Sequence, residues 1–541
     1  MITETADNEK SLKIQNKKTI HHYKRTIQRD FKIEERSTTT ILHGGLSVIA
    51  DKFLQNSLIG LGYKVQSLPV PDMHAMSYGK EYCDTALCNP TYFTVGNLIL
   101  FLENLVESGL SKNEIIENYI FVTAGSCGPC RFGMYEYEYE YALENSGFKG
   151  FRVIVFQMAG EFYQGDLNSG LRMDFEFFRS ILNAIILSDH LNELRYMIKP
   201  YEVESGKTEL IIGECTDIIA VYLRNKKPLR SMLNHEELKK VYFEKTKNIF
   251  KQLFDRDLKN VLRVCHKKIN SIELNYLQIK PIVKITGEFW AQSTEGDGNY
   301  HMFKFLEDEG CEIIVEPVSS WVMYLLWSSK YLFNEKSMTN SLGRVTYKKP
   351  IKYLVSLSDK IYKNFYYYLG IFLYNFQYNK IGKLLGQNYR KLTPVGKLAK
   401  IASKYMDVRY EGGEGFLEVA KNIYFTKNNL AHMVLSLKPF GCMPSTISDS
   451  IQVKVMTDFN KMIFLPLETS GEGKINALSR VQMALSEARE RAIKEYEIAL
   501  EKIPKKILKK LNDRNNYINA LKKLPYVEGT ALKAIMFIKS I

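Results

Sequence analysis

The chain has no stretch both apolar enough and long enough to span a bilayer. Its most apolar segments, NLILFLENL and FYYYLGIFLYNF, are interrupted or fall short of the roughly 20 apolar residues a spanning helix needs. It does not open on a basic-then-apolar leader either. MITETADNEK is polar and acidic, and the expected location is cytoplasmic. No repeat of solenoid period is present. A phosphate-binding P-loop is also missing. SGEGKIN approaches one, but Glu468 stands where its first glycine is required and Ile475 where Ser or Thr is required. Cysteine is scarce, at eight residues. In a reducing compartment these are not read as a disulfide framework, and the clustered ones are read as metal ligands or redox centres.

The composition is otherwise that of a folded globular protein, 45% hydrophobic and 25% charged. At 541 residues the chain exceeds one core and predicts two or three domains. Residues 1–37 lack apolar periodicity and read as a flexible basic arm. From residue 38 short apolar strands (TTTILHG, YKVQSLPVP, NYIFVTAG, FRVIVFQM) alternate with helical patterns. This is the signature of a parallel sheet covered by helices on both faces. The first Rossmann-like α/β domain is placed at 38–165 and a mostly helical connection at 166–280. A second Rossmann-like domain follows at 281–477, carrying a helical insert at 345–408, and 478–541 read as a helical, basic tail. The EYEYEY run is read as a helix surface, and the Tyr-rich segment Tyr362–Tyr378 as a core seam.

The net charge of +14 is unevenly spread. Between Phe376 and Met406 there are seven basic residues and no acidic ones, and from Glu501 to the end ten basic against three acidic. Without a nucleic-acid motif, these stretches are read first as solvated helix faces, then as contacts for a nucleotide-like ligand or partner protein. Nucleic acid is the least favoured partner.

Five cysteines lie in three turn-rich loops: Cys83 and Cys88 in EYCDTALCNP, Cys127 and Cys130 in GSCGPCRFG, and Cys442 in PFGCMPS. Each loop is expected to follow a strand: Cys83/Cys88 after YKVQSLP, Cys127/Cys130 after NYIFVTAG, and Cys442 after AHMVLSL. Ligands of open α/β sheets collect beyond the carboxyl ends of the strands, so the three loops are expected to share one crevice. Cys88 opens a helix, where the positive end of the dipole favours thiolate. Iron and zinc both take thiolate ligands. No second CxxC and no HxxxH completes a zinc ribbon. An iron–sulfur cluster is therefore the leading expectation, with zinc and a redox or structural role as the alternatives. Glu288, at the end of the strand in ITGEFW, is a candidate site carboxylate, and Arg131, beside Cys130, a candidate for tuning the site or binding an anion. Cys215, Cys265 and Cys311 stand alone and are read as packing residues.

At these loops the chain resembles the 2-hydroxyacyl-CoA dehydratase family. It is most similar to the dehydratase-like portion of the large CoA-substrate-specific activases, the (R)-2-hydroxyglutaryl-CoA dehydratase activator-related proteins. The segments that carry the resemblance are CNPTYFTVGN, GPCRFGMYE, IKPYE, ITGEFW, EGFLEVA, PFGCMP and INALSRVQM, in the family's order across about residues 38–485. The resemblance implies a pair of Rossmann-like domains holding an iron–sulfur cluster, of [4Fe-4S] type, between them. Carried over residue by residue, its ligands fall on Cys88, Cys127, Cys130 and Cys442, with Cys83 outside the best-matching segment. Three protein thiolates would leave one iron open to substrate, whereas four suit electron transfer alone.

The resemblance also implies low-potential electron transfer driven by ATP. The activases carry an actin-like ATPase before this region, and here about 37 residues precede it. ATP hydrolysis is therefore expected on a separate activase. The chain itself is expected to accept one electron and pass it to an acyl-CoA-like substrate, as a dehydratase-like lyase or a reductase component. A non-catalytic electron carrier or assembly partner, and a zinc-stapled scaffold, remain the other readings. The expected assembly is a homo- or heterodimer.

Overall fold

The structure is a computed structural model that describes residues 28–125, 130–156, 169–226, 255–342, 350–386, 389–410, 414–509, 515 and 530–540. Met1–Asp30 separates as one unit, described only at 28–30, and Phe31–Ile541 is the other. Cys127, residues 227–254 of the helical connection and most of the proposed arm lie outside the described residues.

Two four-stranded sheets, every pairing parallel, organise the second unit. The first comprises β1 (Thr40–His43), β2 (Lys64–Ser67), β3 (Tyr119–Ala124) and β4 (Arg152–Phe156), in the order β2-β1-β3-β4. The second comprises β5 (Ile282–Gly287), β6 (Glu312–Ile314), β7 (Met433–Pro439) and β8 (Phe464–Thr469), in the equivalent order β6-β5-β7-β8. The fold is α/β with two Rossmann-like parallel sheets, as the strand–helix alternation predicts. In each sheet the direction in which strands are added reverses beside the first strand, so the switch points lie between β1 and β3 and between β5 and β7. These are the places where such sheets bind ligands.

Alternation along the strands builds the layers. Ile41 and Ile120 face a core with Leu58 of the helix Val48–Gly60 and Phe177 of the helix Phe175–Ile198. Leu42 and Phe121 face the helices Asn89–Glu107 and Tyr135–Asn145. In the second sheet Val283, Ile285, Leu435 and Leu437 pack on the long helix Lys474–Glu501. Phe31 is buried in the first core, and Glu35 pairs with the buried Arg152 at 3.1 Å. A large helical core joins the two sheets, drawing on Phe175–Ile198, Lys207–Asn225, Arg256–Ile269, Val318–Leu342 and Pro350–Leu385. Cys215 and Cys265 are fully buried there, each with its sulfur 3.8–3.9 Å from the other's carbonyl oxygen. The C-terminal helix Thr530–Ser540 buries Phe537 in this core and sets Lys533 against Glu312, both without solvent exposure.

Three expectations need correction. A helix, Met73–Tyr82, intervenes between β2 and the Cys83/Cys88 loop, capped by Asp72, whose Oδ1 accepts from the Ala75 amide at 2.9 Å. That loop therefore follows a helix. The EYEYEY helix is not all surface, because Tyr135, Glu138 and Tyr139 are buried. The Tyr-rich segment is a core seam only in part: Tyr374 and Tyr378 are buried, but Tyr362, Tyr366 and Tyr368 are exposed.

The helices Met73–Tyr82 and Asn89–Glu107 touch backbone to backbone. A Cβ at Gly96 would lie 1.8 Å from the Ala75 carbonyl oxygen, and one at Gly79 2.0 Å from that of Tyr92. Only glycine permits this approach, and it sets the direction in which Cys88 enters its helix. Gly96→Ala is expected to cost about 1–3 kcal/mol through overpacking, read as a lower midpoint in chemical denaturation. An unchanged midpoint would contradict the close contact.

Candidate functional site

Three cysteines from three loops occupy the same local role. Cys88 is the N-cap of the helix Asn89–Glu107, Cys130 of the 3-10 turn Arg131–Met134 after β3, and Cys442 of the helix Met443–Asp458 after β7. Pro90 and Pro444 sit in the first turns of their helices, where the missing N–H costs nothing. The first amide groups of each turn are left without partners inside the helix, and they favour negative charge on a sulfur placed there.

The loops meet. The Asn89 amide donates to the Phe440 carbonyl oxygen at 3.1 Å, which joins the start of the Cys88 helix to the end of β7. Gly441 has φ +77°, and a Cβ there would lie 3.3 Å from the Leu87 oxygen and 3.4 Å from Cys88 Cα. The Arg131 Nη1 group approaches the same point at 3.8 Å and donates to the Ala86 carbonyl oxygen at 2.5 Å. One guanidinium thus ties the loop before Cys88 to the turn that Cys130 caps. Between the two halves, Trp290 packs on Phe93 with the rings tilted by 35° and their centroids 5.6 Å apart, and Asp297 Oδ2 accepts from the Met73 amide at 3.2 Å.

The sulfur of Cys88 lies 3.0 Å from the Tyr135 hydroxyl and 3.2 Å from the Thr91 hydroxyl. Burial pushes the Tyr135 hydroxyl well above its usual range, and Cys88 adds to this. The Cys442 thiol is pushed up to about 12, first by burial and then by the Glu288 carboxyl, with Ser445 opposing and Cys130 contributing. Without a cation in the crevice, Cys442 therefore holds its proton. A metal or cluster would have to replace that proton, as soft-metal binding generally requires.

Glu288 follows β5 directly and caps the short helix Phe289–Ser293, its Oε2 accepting from the Ala291 amide at 2.9 Å. Its carboxyl is raised above the usual range by burial, against the pull of the Ala291 and Trp290 amides. It sits beside Cys442 at the second switch point, because its own amide donates to the Leu437 oxygen at 2.9 Å. Cys83 is placed differently. It ends the helix Met73–Tyr82, and burial, then Glu138 and Asp84, push its thiol up to about 12.

Three features are not apparent from the cysteine pattern. Tyr135 and Thr91 reach the Cys88 sulfur; Thr91 was readable as three residues beyond a helix-capping cysteine, and Tyr135 had no local signal. Exposed Met134, Phe440 and Met443 form an apolar rim on the cysteine turns. Behind Cys442, a polar layer anchors the loop. Glu418 accepts from the Ser436 and Ser448 hydroxyls and pairs with Lys438 at 3.0 Å, and Lys438 also pairs with Asp449.

Among the described residues no three His, Cys, Asp or Glu side chains are grouped to hold a single metal ion. The donor set has a different form. Its three thiols stand at the starts of separate turns whose loops touch, and thiolates are the ligand chemistry that both iron–sulfur clusters and zinc take. No family model matches the chain, and no curated protein matches it.

Replacing Glu418 with Leu removes the acceptor for two buried hydroxyls and a partner of buried Lys438. A loss of about 3 kcal/mol is expected, with partial recovery on adding Lys438→Met, measured by denaturant titration. Equal stability of single variant and wild type would show that the layer does not anchor the Cys442 loop.

Proposed function

We propose that the chain is an iron–sulfur protein similar to the 2-hydroxyacyl-CoA dehydratase component. In this reading it accepts one electron from a separate ATP-hydrolysing activase and passes it to an acyl-CoA-like substrate. The observation that carries this is that the loops bearing Cys88, Cys130 and Cys442 touch: the Asn89 amide meets the Phe440 oxygen, and the Arg131 guanidinium reaches both Ala86 and the Gly441 turn.

Cys88, Cys130 and Cys442 would hold the cluster, and the resemblance implies Cys127 as the fourth thiolate. When bound, the cluster supplies a one-electron store of low potential and, with an iron left open, a Lewis acid. The protein's own residues do the rest. The Arg131 guanidinium offsets the negative charge gathered by the thiolates, and the helix starts add their partial positive charge. Hydroxyl donors at Thr91 and Tyr135 stabilise charge on the Cys88 sulfur, a lever that raises a cluster's potential. Glu288, with its raised proton affinity, can hold a proton next to Cys442. The exposed Met134, Phe440 and Met443 offer an apolar contact to a redox partner beside the cysteine turns.

Anaerobic purification of single variants tests the ligand set. Cys88→Ala, Cys130→Ala and Cys442→Ala are each expected to lose most of the bound iron and acid-labile sulfide, while Cys265→Ala, deep in the helical core, retains both. Retention of full iron by Cys442→Ala would remove β7 from the site.

A further inference from the structure

The helix Pro350–Leu385 carries an apolar face over which, among the described residues, Lys330 reaches at Tyr368 (3.5 Å to the ring centre) while the rest is exposed. Its other side is pinned to the helix Val318–Leu342 and to the helical core. Asn334 and Asn364 exchange amide hydrogen bonds at 2.8 and 3.1 Å, Phe333 and Tyr367 lie 6.4 Å apart, and the Tyr374 hydroxyl donates to Ser319 Oγ at 2.8 Å. Tyr378 packs on His190 at 4.2 Å. Facing outward are Ile361, Tyr362, Phe365, Tyr368, Phe372 and Phe376, with Tyr366 at the edge, each 44–64% exposed. Positions 361, 365, 368, 372 and 376 follow the three- and four-residue spacing of one helical stripe. A helix apolar on every side is normally enclosed, and this one is enclosed on one side only.

We infer that this face is a self-association surface, on which a second copy of the chain packs the same stripe about a two-fold axis. The area supports this occupant. Side chains of this kind bury about 150–250 Å² each, so seven of them at these exposures leave roughly 800 Å² uncovered, which is the area one partner contributes to a stable dimer. A typical monomer's largest apolar patch is smaller, about 300–600 Å².

Charge also favours a second copy. Residues 364–379 contain no charged side chain, and the two cations nearest the stripe are held on rings, Lys330 over Tyr368 at 3.5 Å and Lys363 over Phe333 at 5.2 Å. An interfacial membrane helix sets a strongly charged face against its apolar one, whereas here the opposite face is occupied by protein. The axis falls near Tyr368, where an antiparallel crossing sets Ile361 against Phe376 and Phe365 against Phe372. That arrangement keeps the two copies' Lys380 side chains apart, while a parallel one would place them side by side. The inference does not depend on the cysteine site.

Sedimentation velocity of the full chain at micromolar concentration tests it. The wild type is expected to be a dimer. The double variant Phe365→Glu with Phe372→Glu is expected to be a monomer with an unchanged far-ultraviolet circular dichroism spectrum. Met483→Glu, on an exposed position of another helix, should remain a dimer. If the double variant does not fold, Phe372→Gln alone is read instead, with at least a ten-fold weaker dimer expected. A monomeric wild type overturns the inference, as does a dimer indifferent to these substitutions. A monomer that co-sediments with phosphatidylserine vesicles overturns it in favour of a membrane surface.

Discussion

One backbone hydrogen bond, from the Asn89 amide to the Phe440 carbonyl oxygen, joins the two halves where the chemistry is expected. Asn89 is the first residue of the helix capped by Cys88, and Phe440 lies between β7 and Cys442. If that contact opened, the first-sheet and second-sheet cysteines would part. The surrounding packing holds it closed. The glycine contact between the helices Met73–Tyr82 and Asn89–Glu107 aims the Cys88 helix, Trp290 against Phe93 holds it to the second half, and Glu418 with Lys438 fixes the Cys442 loop from behind. Two sheets of equivalent strand order thus bring together the Cys88 loop, the turn after β3 and the loop after β7.

The architecture was legible because strand alternation and helix periodicity are local. Ile41 and Leu42, or Val434 and Leu435, declare opposite faces of a strand without reference to anything distant. The helix Met73–Tyr82 was not legible. MHAMSYGKEY has few apolar residues and a glycine in its middle, and that glycine serves contact with another helix, which no local pattern can announce. The site was readable to the same extent. The cysteine before Asn-Pro marked a helix start, but the helix that Cys442 caps was not read from the sequence, and the approach of Tyr135 to Cys88 depends on tertiary packing. In the aromatic helix, residues apolar on every side carry no phase, so the sequence could not separate the face on His190 from the face on solvent.

The excess of basic residues takes on a narrower meaning. Arg390, from the stretch without acids, pairs with buried Glu312 at 3.1 Å, and Lys533 from the tail reaches the same carboxylate. Lys397 lies over the Tyr424 ring. Part of the basic surplus therefore balances buried carboxylates and rings inside the fold, where removing one partner costs far more than at the surface. Correspondingly less of it remains for an external ligand.

The central claim is that helix-capping thiols from both halves hold one iron–sulfur cluster. Electron paramagnetic resonance of anaerobically purified, dithionite-reduced protein, with metal analysis of the same sample, tests it most directly. The account predicts brown protein containing iron and acid-labile sulfide, with a signal from a reduced cluster. Colourless protein containing zinc and giving no such signal would contradict it.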